Sequence, residues 1–73
     1  MTKKNKWKGR YIKVDNNMIH TILYIHKYIA RSDRHIFLYA TDLSNMIEDR
    51  WWLPIKPKDW KYITKEMAIA ELL

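Results

Sequence analysis

The chain has no cysteine, so disulfides and thiolate metal sites are excluded. That absence suits a reducing cytoplasm. There is a single glycine, Gly9, and no glycine-rich loop to cradle a phosphate. Tight turns must therefore use Asn and Asp, as at Asn16-Asn17 and Ser32-Asp33. No run of about eighteen apolar residues occurs, which excludes a membrane-spanning helix. The basic start is followed by no apolar h-region, so no secretory signal is read, and a cytoplasmic location is expected.

Seventy-three residues allow one small domain. Such a chain buries a modest share of its surface, and small domains add a staple. With no cysteine, two staples remain. One is large aromatic side chains, and four Trp, five Tyr and one Phe supply them. The other is self-association, so a homodimer is expected.

The formal charge of +6 is unevenly placed. Residues 1–14 hold Lys3, Lys4, Lys6, Lys8, Arg10 and Lys13 with no acid, while residues 15–73 hold eight bases and eight acids. The excess lies in an N-terminal arm on a neutral body. Residues 1–8 read as that flexible basic arm and residues 9–73 as the globular domain. Trp7 lies inside the arm, where it can dock onto the body. Such an arm steers toward phosphates or an acidic protein face, or simply aids solubility.

Alternation dominates the body. In residues 9–15, Ile12 and Val14 point one way, Tyr11 and Lys13 the other. Residues 18–30, MIHTILYIHKYIA, are rich in Ile, Thr and Tyr, which favours a pleated strand. Its odd face is mostly branched and apolar. Its even face carries His20, Ile22, Tyr24, His26 and Tyr28. Ile36, Leu38 and Ala40 then alternate with Phe37, Tyr39 and Thr41, giving a long hairpin. TDLSNMIEDR reads as a short helix capped by Thr41 or Asp42, with Leu43, Met46 and Ile47 on one face. Residues 51–55 read as an edge strand because Pro54 cannot donate to a ladder. Residues 60–63 are extended. Thr64 caps a closing helix over 65–73, with Met67, Ala68, Leu72 and Ile69 turned inward.

The expected fold is α+β: a small curved antiparallel sheet, of the kind a small SH3-like barrel would have, with a C-terminal helix. The alternative is a three-helix bundle with residues 18–30 helical, which would point to helix-turn-helix DNA binding.

Catalytic patterns are missing. His20 and His26 would lie ~20 Å apart along one strand, and no HxH, HxxxH or HExxH spacing occurs, so no metal site is expected. Ser32 and Ser44 sit in predicted turn and cap positions. Glu48 and Asp49 are adjacent and point apart, so they do not form a facing acid–base pair. A non-enzyme without cofactor follows.

The richest segment is EDRWWLPIKPKDWKY, residues 48–62, with three of the four tryptophans and both prolines. Its Pro54-Ile55-Lys56-Pro57 matches PxxP, a pattern better explained by a structural turn. Trp51 and Trp52 cannot both point inward from an extended chain. Trp51, Leu53 and Ile55 make the better core face, and Trp60 a core patch. Trp52 faces out. Arg50, Trp52 and Tyr62 are types enriched at binding hot spots, and outward Tyr24 and Tyr28 extend the aromatic surface. A single layer of sheet this size leaves one face for a partner.

In size and in its Lys-, Asn- and Ile-rich usage, MTKKNK at the start above all, the chain resembles small accessory proteins of phages and mobile elements. That resemblance implies a compact non-enzyme that binds a larger bacterial protein in replication, transcription or defence and blocks or redirects it. The alternative is a nucleic-acid-binding protein that uses the arm and the outward aromatics beside Lys27.

Overall fold

The computed structural model of the chain describes residues 6–56 and 58–73. Lys3 and Lys4 of the basic arm, and Pro57 of the PxxP pattern, lie outside these. Five strands and one helix follow in order: β1 (Tyr11–Asp15), β2 (His20–Arg31), β3 (His35–Asp42), β4 (Ile47–Pro54), β5 (Trp60–Ile63) and α1 (Lys65–Leu72). The strands form one antiparallel sheet in the order β4-β3-β2-β1-β5. The three-helix alternative is overturned: residues 20–31 form the longest strand, as their branched and aromatic content favours. Among the described residues no helix is long and apolar enough to cross a membrane.

Register fixes which side chains share a face, because directly opposed residues project to the same side. Ile12 opposes Leu23, Ile25 opposes Ala40, and Leu38 opposes Trp51. These residues line the inner face. Ile12, Leu23, Ile25, Leu38 and Ala40 are fully buried there, and Trp7, Trp60, Leu53 and Ile36 close the cluster. Trp7 lies only 5% exposed against Trp60, at 6.0 Å between ring centroids. The first described turn of the basic segment is thereby anchored to the core. Gly9, at φ +81°, makes the bend from Trp7 into β1.

Two elements depart from expectation. TDLSNMIEDR is a turn between β3 and β4, not a helix. Asp42 accepts from the backbone N–H groups of Ser44 and Asn45, which is the bonding an N-cap would make. Met46 then adopts φ 56°, in the left-handed region, and the chain turns back to pair Ile47 with Asp42. Second, β2 carries register shifts between Ile25 and Lys27 and between Tyr28 and Ala30. A bulge adds a residue and reverses the alternation beyond it. Tyr28 consequently opposes Leu38 and packs on the core, not outward beside Tyr24.

The helix forms as expected. The Thr64 hydroxyl accepts from the Met67 N–H at 3.1 Å. It returns along β1, where Lys13 and Glu71 pair at 2.9 Å. Only Ala68, 1% exposed, is buried. Met67, Ile69 and Leu72, expected inward, each stay more than 40% exposed. An eight-residue helix seated on a sheet through one alanine has no second wall to bury the rest.

Candidate interaction surface

The outer face of the sheet beyond the helix is read row by row from the register. Ala30, Phe37 and Trp52 form one row across β2, β3 and β4. Lys27, Tyr39 and Arg50 form the next, and Tyr24, Thr41 and Glu48 the third. Tyr11 extends the third row on β1, with its ring 5.2 Å from that of Tyr24. His26 bridges the rows: its Nε2 lies 2.6 Å from the Thr41 hydroxyl, and its ring sits 5.1 Å from Tyr24 and 5.7 Å from Tyr39. Tyr39 donates its hydroxyl to Glu48 at 3.1 Å. That bond to a carboxylate favours the protonated phenol and raises its pKa.

The rings of the third row are half-buried on one another. Trp52 is different, at 64% exposed. Its row is apolar, and Arg50 in the next row is exposed. The ion pairs among the described residues are Lys13–Glu71 and His20–Asp15, so Arg50 and Lys27 hold no acid there.

The other expected site residues are spread out. Tyr62 is on β5, opposite Ile12, far in the strand order from Trp52. Its ring lies 5.7 Å from Trp7 and 4.5 Å from the Arg10 guanidinium. Burial pushes its phenol pKa up, while Arg10 pulls the other way. Arg10 also donates to the Lys6 carbonyl at 2.7 Å. Arg10 thus serves the packing of the Trp7 segment. Lys6 and Lys8 are exposed. Tyr28 faces the core. Of the expected set, Trp52 and Arg50 share the outer end of β4, with Tyr24 two rows away.

On the other side of β4 an open cleft of about 520 Å³ runs toward the start of β5. Trp51, Trp52, Pro54, Trp60 and Ile19 give it apolar walls. Asp42, Asp49 and Asp59 line it against a single Arg, Arg50. Burial acts to raise the Asp42 pKa. Bonds from the Thr21 hydroxyl, the Asn45 side chain and the N–H groups of Asn45 and Ser44 outweigh it and hold the carboxyl below its ordinary value. Composition concealed this cleft, because its acids come from three separate turns and strands.

The free edge of β4 is guarded against strand addition at Arg50 and Pro54. The Ile55 N–H donates toward the β3 side, to Arg34, while the Pro54 carbonyl faces away and accepts from the Trp60 indole at 2.8 Å. Even-numbered residues of β4 therefore present their backbone groups to the edge. There Asp49 accepts from the Arg50 N–H at 2.7 Å, and Pro54 has no N–H. Occupied or absent donors are how an edge avoids sheet extension.

Among the described residues no group of three or more His, Asp or Glu is placed to hold a metal ion. His20 pairs with Asp15 at 2.5 Å, and His26 serves Thr41. No protein-family model, curated protein or solved structure matches the chain.

Proposed function

We propose that this is a non-enzymatic protein-binding module that docks through the outer end of β4. The observation that carries the reading is Trp52: a large ring, 64% exposed, in an apolar row with Phe37 and Ala30 and beside the unpaired Arg50. An exposed Trp flanked by Arg is the composition of an interface anchor. The face stands on the three paired strands β2, β3 and β4. The biological reading is a phage-type inhibitor or modulator of a larger bacterial protein, in the bacterial cytoplasm, that acts by occupying a site. The basic arm with Lys3, Lys4, Lys6, Lys8 and Arg10 raises the association rate with an acidic target. A homodimer on this face is the same reading with a second copy as occupant.

The finer reading of the fold is a small SH3-like barrel. The strand order supports it, with β5 returning beside β1. So does the Trp60–Pro54 bond, which ties the two edge strands together.

The test is a tagged pull-down from nuclease-treated bacterial lysate with the wild-type chain and with Trp52→Ala. One protein retained in stoichiometric amount by the wild type and lost from the folded variant supports the reading. Equal retention by both removes Trp52 from it.

One observation favours a second reading. Among the described residues Lys27 and Arg50 flank Tyr39 in one row without acid partners, next to the exposed Trp52 ring, and such a face also suits a single-stranded nucleic acid. Retention that collapses with nuclease would select it. The arm's share is then read by replacing Lys3, Lys4, Lys6 and Lys8 with Ala. Deleting residues 1–8 would remove Trp7 from the core as well.

A further inference from the structure

The cleft behind β4 has a sign as well as a shape. Trp51, Trp52, Trp60, Pro54 and Ile19 line it, with the Trp51 ring on the cleft side of β4, and its volume of about 520 Å³ lies in the usual range of ligand clefts. Asp42 holds a fixed negative charge, but both its oxygens are engaged: Oδ1 with Thr21, Ser44 and Asn45, Oδ2 with the Asn45 amide. It contributes field and no further bonds. Asp49 uses Oδ1 for the Arg50 N–H and keeps Oδ2 for a ligand. Asp59 gives its backbone carbonyl to the Asp15 N–H, and its carboxylate has no bonding partner among the described residues. Two carboxylates with spare acceptors beside electron-rich rings attract a cation that carries an apolar stem. Arg50 lines the cleft too, and Lys58 and Lys61 stand near Asp59, but the free oxygens of Asp49 and Asp59 still disfavour an anionic occupant.

We infer that the cleft takes a lysine or arginine side chain, with its aliphatic stem on the indoles and its charge at Asp49 and Asp59, presented by an extended segment of the protein partner. This deepens the protein-binding reading and rests on it. At Arg50 and Pro54 the β4 edge offers no free donor, so the segment is held there by its side chains. The partner would thus be gripped on both sides of β4, with Trp52 at the ridge between outer face and cleft.

The test titrates the full chain by calorimetry with two capped nonapeptides, one alternating Lys with Leu and one with Glu at every Lys position. The Lys peptide is expected to bind, the Glu peptide not. Binding of the Lys peptide should weaken at least tenfold in the double variant Asp49→Asn, Asp59→Asn, which keeps shape and the acceptor for the Arg50 N–H. Raised salt should weaken it too, because the attraction is between charges. Glu66→Gln, which neutralises a carboxylate in the first turn of α1 outside the cleft, should leave it unchanged. Equal binding of both peptides, or a double variant that binds like wild type, would overturn the inference. So would no binding of the Lys peptide, yet the Trp52→Ala pull-down would still stand or fall by itself. Displacement of the peptide by an equal concentration of spermidine would overturn the assignment to a protein segment and leave a site for free polyamines.

Discussion

Trp60 joins the two edges of the sheet: its indole on β5 donates to the Pro54 carbonyl at the end of β4, at 2.8 Å. The residue is itself 7% exposed, with its ring tilted against Trp7 and edge-on to Tyr62. One side chain therefore serves the core and the tie between the two edge strands. Replacement by Phe should keep most of the ring packing and lose the bond, at a cost of ~1 kcal/mol. Replacement by Ala should cost ~3–5 kcal/mol. Equilibrium urea unfolding separates the two, and a Phe variant as unstable as the Ala variant would refute the role given to the bond.

Trp7 should behave as a core residue although it lies in the basic segment. Trp7→Ala is expected to destabilise by ~3–5 kcal/mol, because a large buried ring leaves a cavity against Trp60. For a domain of this length that is a large part of total stability, about 0.05–0.15 kcal/mol per residue. A thermal midpoint equal to wild type would show that the segment does not anchor there. Trp52→Ala makes the contrast. It should change stability by no more than ~0.5 kcal/mol, as exposed substitutions do, while it removes partner binding.

These two tryptophans show how much the sequence disclosed. Alternation placed Trp51 and Leu53 inward and Trp52 outward, and the structure agrees, because a β-strand leaves no other choice at neighbouring positions. Ile12, Val14, Ile36, Leu38 and Ala40 followed the same rule. Tyr28 did not. The irregularities in β2 that carry it to the core depend on cross-strand register, which no local pattern encodes. The stretch Thr41 to Arg50 misled for a different reason. Asp42 makes cap-type bonds in a turn as readily as in a helix, and pairing of Ile47–Pro54 with β3 decided between them. The cleft was illegible because Asp42, Asp49 and Asp59 come from β3, β4 and the segment before β5 and line one cleft only in the folded sheet.

Asp42 should make stability depend on acid. Its folded pKa lies below the ordinary carboxylate value, so the folded state prefers the ionised form. The contribution is full above the unfolded value of about 4 and is lost as pH falls through the lower, folded value. Wild type should therefore lose stability below about pH 4, and Asp42→Asn should lose less over that same interval. Thr21→Val removes one donor to the buried carboxylate and should cost ~1–3 kcal/mol at neutral pH. Chemical unfolding at several pH values reads both. Parallel pH curves for wild type and Asp42→Asn would show that this carboxyl is not a source of the dependence.

Gly9 and Met46 predict opposite signs for one kind of exchange. Both sit at positive φ, Gly9 at 81° and Met46 at 56°. A side chain at such an angle crowds the backbone, at ~1–2 kcal/mol. No atom lies within 4 Å of the position a Gly9 Cβ would take, so Gly9→Ala introduces backbone strain and no clash. It should destabilise by ~1 kcal/mol. Met46 already bears that strain, in an exposed turn where its side chain is 74% accessible and gives up little packing when removed. Met46→Gly should gain up to ~1 kcal/mol, less the entropy glycine adds to the unfolded chain. Thermal unfolding of the two variants beside wild type decides it. If Met46→Gly unfolds at a lower temperature than wild type, relief of the strained angle at Met46 is worth less than the entropy glycine adds to the unfolded chain.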